Sequence, residues 1–171
     1  YSSIPMDIHL MIEQVDSFVP MFASFKSSIV CFHPEVTYHP LRTLELIRKH
    51  GARPGIALSP AVTLESVKHL LPAVEVVCVM TVNPGYSGQK LVPQTLEKCR
   101  ELKKISREQE LPIEIEVDGN VSWDNIPMMV EAGADTLIVG TSSLFGGDNS
   151  REENLKRLKT LTAKLEKSMN T

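Results

Sequence analysis

The chain alternates between two kinds of segment, and this alternation limits its fold more than any other feature. Short apolar runs occur at Met6–Met11, Ile29–His33, Pro54–Leu58, Glu75–Thr81, Ile113–Asp118 and Thr136–Gly140. Stretches of helical period lie between them, at Val15–Lys26, Pro40–His50, Leu64–Leu71, Val92–Gln109 and Trp123–Ala132, and Glu152–Lys167 follows the last run. Runs that are apolar throughout predict strands buried on both faces of a parallel sheet. Their alternation with helices predicts right-handed βαβ units. In "RKHGAR" and "VEAGAD", Gly51 and Gly133 stand where a helix gives way to a strand, the position at which glycine closes a helix.

Six units in 171 residues allow about 28 residues each. Eight such units need roughly 230 residues, close to an eight-fold βα barrel. The chain therefore reads as one domain over residues 1–171, the C-terminal six βα units of a (β/α)8 TIM barrel. An open doubly wound sheet, which six units complete unaided, is the alternative that periodicity leaves open.

Hydrophobic residues make up 42% of the chain and charged residues 23%, enough for one ordinary core. A net charge of −3 speaks against a nucleic-acid backbone as partner. The longest apolar stretch, around Val74–Val82, is too short to span a bilayer. The three cysteines, Cys31, Cys78 and Cys99, form no CxxC pair. They predict buried, reduced thiols in a cytoplasmic protein.

In either architecture, chemistry gathers at the carboxyl ends of the strands. There stand His9 and Met11, His33 and Glu35, Met80, then Glu116, Asp118 and Gly119, and finally Gly140, Thr141, Ser142 and Ser143. Alternation along strands puts His9 and Asp118 toward one cavity, where an imidazole and a carboxylate suit a divalent cation. A structural histidine and a hydrogen-bonded strand-end aspartate fit the same residues. "VDGN" and "VGTSS" read as a phosphate site made of backbone N–H groups and a helix N-terminus, or as two ordinary tight turns.

Taken together, "DIHLMIE", "VMTVNPGYSGQK", "IEIEVDGNV" and "EAGADTLIVGTSSLF" resemble the ribulose-phosphate 3-epimerase family. The likeness runs in order from Pro5 to Phe145. It implies an eight-stranded barrel that inverts carbon 3 of a ketose phosphate through an enediolate, using two aspartates on opposite faces. It also implies a divalent metal, zinc first and iron, manganese or cobalt as alternatives. His9 matches a metal-binding histidine, and Asp118 matches an aspartate that both binds metal and transfers the proton. His9, Met11, Met80, Gly85, Gly88, Gly119, Asn120, Gly140, Thr141 and Ser142 are implied to meet the substrate. The segment from Val82 to Gln89 becomes a lid whose glycines let it fold over the sugar.

The sequence departs from the family in places. The family's early motif, with the first metal histidine and the first aspartate, is not among these 171 residues. The expectation is that about two βα units precede Tyr1 in the natural protein, and that without them turnover fails, metal affinity is weak and an open edge favours aggregation or oligomers. Asn120 stands where the family shows a second glycine, and "GTSSLF" and "FHPE" also differ. These details lean toward allulose-6-phosphate 3-epimerases, with the pentulose phosphate still ranked first. A non-catalytic phosphate-binding barrel fragment is the alternative of another class. A phosphate-binding isomerase barrel of amino-acid biosynthesis is a third, which the lid motif opposes.

Overall fold

The computed structural model describes residues 4–25 and 27–169. Six strands form one sheet: β1 Asp7–Leu10, β2 Ile29–Phe32, β3 Arg53–Leu58, β4 Val76–Met80, β5 Glu114–Asp118 and β6 Thr136–Ile138. All five pairings are parallel, and the strands lie side by side in chain order. A doubly wound sheet reverses its strand order at a switch point. No reversal occurs here, so that alternative is overturned. Successive right-handed crossovers in one direction put every helix on the same face, and the sheet curls into a half-barrel.

The two faces differ in chemistry. Toward the helices project Val30, Phe32, Ile56, Leu58, Val77, Val79, Ile115 and Val117, all buried in the main core. Against them pack helix α2 Pro40–Lys49 through Leu44 and Ile47, and helix α4 Gln94–Glu108 through Leu96, Cys99 and Leu102. Helix α5 Ile126–Glu131 adds Ile126 and Met129. The apolar spacing of α4, three residues then three, places those side chains on one stripe. The concave face is lined instead by small residues, with Cys31, Ala57, Val76 and Cys78 forming a second buried cluster. Gly55 belongs to this face because nothing larger fits: a Cβ there would lie 2.2 Å from Cys31 Sγ.

Several helices are shorter than periodicity predicts. The Val15–Lys26 stretch divides into a 3-10 turn at Val15–Ser17 and one helical turn, α1 Val19–Phe22. Asp16 accounts for part of the break, since its carboxylate accepts from Arg42 (2.7 Å) and Thr43 and so ties this segment to α2. Helix α3 Leu64–Val67, capped by Thr63, gives way to a 3-10 turn at Leu71–Ala73, where Pro72 cannot supply a helical N–H. Helix α6 Arg151–Met169 closes the chain, and Arg157 stacks 4.3 Å above the ring of Trp123. Gly51 and Gly133 both have positive φ, as their places at helix ends predict. All three cysteines are buried and free. Among the described residues, no helix is long and apolar enough to cross a membrane.

The entering ends of the strands are strapped by a polar network. Arg53 donates to Glu114 at 2.8 Å and to Glu75 at 3.3 Å, while Thr136 donates to the other Glu114 oxygen at 2.7 Å. The Thr136 hydroxyl, and then Arg53, hold the Glu114 carboxyl below its usual value of 4.5. The folded state therefore favours the ionised form. This contribution is present above the unfolded value and is lost as pH falls through the folded one. Glu114→Gln is expected to lower stability at pH 7 by about 1 kcal/mol, as for a partly exposed charged hydrogen bond. The gap from the parent protein should close at pH 3, measured by urea unfolding at both values.

Candidate active site

Strand β5 is four strand spacings from β1, about 19 Å in a flat sheet. Yet His9 on β1 and Asp118 at the end of β5 approach to 4.0 Å, Nδ1 to Oδ2. Curvature closes the difference. Cys78 lies on β4 in register with Glu116, and its thiol reaches into the same space. Donor atoms of His9, Cys78 and Asp118 all fall within 4.8 Å of one another.

A chain of hydrogen bonds runs back from His9. Its Nε2 lies 2.9 Å from His33 Nε2, and His33 Nδ1 lies 3.2 Å from the Ser59 hydroxyl. Ser59 also donates to Glu35 at 3.3 Å. A carboxylate only accepts, so the Ser59 proton belongs to Glu35, and the Ser59 oxygen is left to accept from His33 Nδ1–H. His33 Nε2 is then an acceptor, and His9 donates to it from Nε2. The lone pair on His9 Nδ1 is thereby turned toward Asp118. Ser59 is itself fixed from behind, since Lys98 donates to its carbonyl at 2.8 Å.

Electrostatics agrees with this assignment. Burial, and secondarily the neighbouring His33, push His9 down to about 4, so its ring is neutral near pH 7. Burial also lowers His33, against a smaller opposing pull from Glu35. Burial raises Asp118, partly offset by the Gly119 N–H. A neutral imidazole with a free lone pair beside a carboxylate and a thiol is a donor set that fits a divalent cation.

Above this set opens a cleft of about 320 Å³. Met11, Met80, Gly85, Gly88, Asp118, Gly119, Asn120, Gly140, Thr141 and Ser142 all line it. His9 does not line this cleft and meets it through Asp118. Met80 is almost wholly buried, whereas Met11 is about half exposed. One wall is the loop 82–89. Its two ends are clasped by the Gln89 side chain, which bonds the backbone of Asn83 on both sides and the Tyr86 carbonyl.

The glycine-rich ends are turns, with no helix N-terminus at either. After Gly140 comes a turn closed by Ser143 and Phe145 N–H groups on the Gly140 carbonyl, and α6 begins only at Arg151. After Gly119 a second turn precedes α5 at Ile126. Any anion bound there meets loop amides alone. The N–H groups of Asn120, Thr141 and Ser142 make no hydrogen bond among the described residues.

His33 and Ser59 join the chain of hydrogen bonds behind His9, a link that sequence reasoning missed. His33 did appear at a strand end. Its contact with His9 crosses between strands, however, and depends on side-chain reach that one-dimensional spacing does not carry. Nitrogen-15 NMR of metal-free protein is expected to show His9 as the Nε2–H tautomer at pH 7, titrating near pH 4. Titration near the ordinary 6.5 would contradict the burial and the hydrogen-bond chain alike.

The comparisons with known proteins converge. The model of the ribulose-phosphate 3 epimerase family matches residues 1–145. Ribulose-phosphate 3-epimerase 1 of Cupriavidus necator is 42% identical over 152 residues, covering 86% of this chain and 63% of that protein. Ribulose-phosphate 3-epimerase of Escherichia coli K12 is 41% identical over 138 residues, covering 81% of this chain and 61% of that one. The chain thus spans just over 60% of the length of these curated relatives. Among solved structures, the YdjI aldolase from Escherichia coli K12 shares the fold with a TM-score of 0.56 at 15% identity, over 90% of this chain and 60% of that one. By its sequence, the chain belongs to the ribulose-phosphate 3-epimerase family.

Proposed function

We propose that this chain carries one acid/base half of a ketose-phosphate 3-epimerase site, with D-ribulose 5-phosphate and D-xylulose 5-phosphate as the epimers. The observation that supports this most is the approach of His9 and Asp118 to 4.0 Å beneath a cleft walled by the 82–89 loop.

In this reading Asp118 exchanges a proton with carbon 3. Its burial holds the carboxyl above the ordinary aspartate range, closer to the proton-transfer range that general acid–base catalysis favours. His9, Asp118 and Cys78 are the residues that would hold a divalent ion, zinc being the first candidate. Such an ion supplies positive charge beside the oxygen that becomes anionic when the carbon-bound proton leaves. His33, Ser59 and Glu35 keep the His9 ring in one tautomer and orientation. The open amides of Asn120, Thr141 and Ser142 suit the phosphate. Met11 and Met80 make the apolar wall, and loop 82–89 shields the enediolate from water.

Inversion needs a second acid on the opposite face of the substrate. Among the described residues, Asp118 is the sole carboxylate lining the cleft. The 171-residue chain is therefore expected to exchange without inverting. Incubated with D-ribulose 5-phosphate and Zn2+ in heavy water, it should place deuterium at carbon 3 with configuration retained. Asp118→Asn should slow that exchange by about 10²–10⁴-fold, read by proton NMR. Ordinary epimerase turnover would show that a second acid lies elsewhere in these residues. Phosphate binding without any exchange would favour the non-catalytic alternative. Faster exchange with D-allulose 6-phosphate would move the substrate to the six-carbon ketose.

A further inference from the structure

A second set of donors lies one side-chain layer below the mouth. On β1 the sequence Asp7-x-His9, and on β5 the sequence Glu116-x-Asp118, repeat the same pairing two residues apart. Two residues along a strand is about 6.6 Å. The mouth set is completed by Cys78, and the lower one by Cys31. The donor atoms of Asp7, Cys31 and Glu116 all fall within 4.8 Å of one another.

A second observation concerns Glu116 itself. Glu116 is only 2% exposed, and its Oε1 has no hydrogen-bond partner among the described residues. An orphaned buried polar atom of this kind costs about 1–3 kcal/mol. Arg53 is the neighbouring cation, yet it is committed to Glu75 and Glu114. Asp7 is the neighbouring carboxyl that interacts with the Glu116 side chain, and Oε1 is still left without a partner among the described residues. The Cys31 sulfur is packed closely on this layer. Gly55 offers no Cβ where the Cys31 sulfur sits, so the thiol occupies the interior without displacing its neighbours.

We propose that Asp7, Cys31 and Glu116 form a second divalent-cation site on the floor of the half-barrel, separate from the mouth. Two carboxylate oxygens and one thiolate sulfur suit a borderline ion such as Zn2+ or Co2+, with water in the remaining tetrahedral position. On loading, the ion displaces the protons of Cys31 and Glu116 to solvent, and no electron changes hands. The site stands independently of the epimerase reading, because it shares no ligand with the mouth. It has a structural use: it ties β1 to β2 and β5 across the concave face.

The test begins with protein carrying His9→Ala and Asp118→Ala, which disables the mouth. Co2+ titration is expected to show one ion per chain and a thiolate-to-cobalt charge-transfer band. Adding Cys31→Ser should abolish the band, and adding Cys78→Ser should leave it. Glu116→Gln, nearly the same shape, should weaken Co2+ binding by about 100-fold or more, while circular dichroism shows the fold retained. That variant keeps the question open to refutation if Cys31→Ser fails to fold. No bound Co2+ in the mouth-disabled protein overturns the proposal. So does a band that survives Cys31→Ser and vanishes with Cys78→Ser, or an affinity unchanged by Glu116→Gln.

Discussion

The site depends on the curvature of the sheet. Four strand spacings separate β1 from β5, and both polar pairs that span them, His9 with Asp118 and Asp7 with Glu116, exist only because the ribbon bends. Bending brings the concave side chains together, so the middle strands need small groups on that face. Gly55, Ala57, Cys31 and Cys78 meet this need. Larger residues crowd the opposite face, where spreading strands leave room for Phe32, Ile56, Leu58 and Ile115 against the helices. The sequence thus encodes curvature as a difference in side-chain volume between alternate positions of the same strands.

The same bend accounts for the unusual acid–base behaviour of the interior. Polar groups on a concave face lose water on every side at once. His9 is driven down to about 4, while burial pushes Glu116 up to about 9, helped by its hydrogen bond to Asp7 and then by the charges of Asp7 and Glu114. The buried thiols of Cys31 and Cys78 are raised as well. Desolvation heads the causes in each case, so all four groups rest in their uncharged forms. Of these groups only the neutral imidazole of His9 can meet a cation as it stands, because Glu116 and the two thiols must first give up a proton.

Much of this was legible in the sequence, for identifiable reasons. Strand positions followed from apolar runs bounded by glycine and proline, and all six lie where they were expected, within a residue or two at their ends. Strand order was not legible: periodicity gives the number of βα units but not the direction in which each crossover steps. The helix lengths at α1 and α3 failed because Asp16 and Pro72 act through a distant partner and a missing N–H, neither of which disturbs an apolar period. His9 and Asp118 could be assigned to one face by alternation, whereas their separation needed the curl. His33 shows the limit most clearly. Its link to His9 is a 2.9 Å contact with a ring 24 positions away, and its place at a strand end does not reveal that partner.

The departure at Asn120 shows how backbone conformation decides which residues such a site tolerates. Gly119 has φ +109°, and a Cβ there would meet Val82 Cγ2 at 2.5 Å, so glycine is required on both counts. Its carbonyl also accepts the Thr81 hydroxyl, which fixes the turn against β4. Asn120 has φ 45°, inside the left-handed region that asparagine enters more readily than most residues. Its carbonyl and side-chain oxygens both accept from Asn125 Nδ2, at 2.9 and 2.7 Å. The hydrogen bonds replace what a second glycine would provide through freedom alone. The Asn120 side chain is thereby turned back toward Asn125, and its N–H remains available to the cleft. A side chain at this position changes the rigidity of the turn while keeping the amide that a phosphate would use.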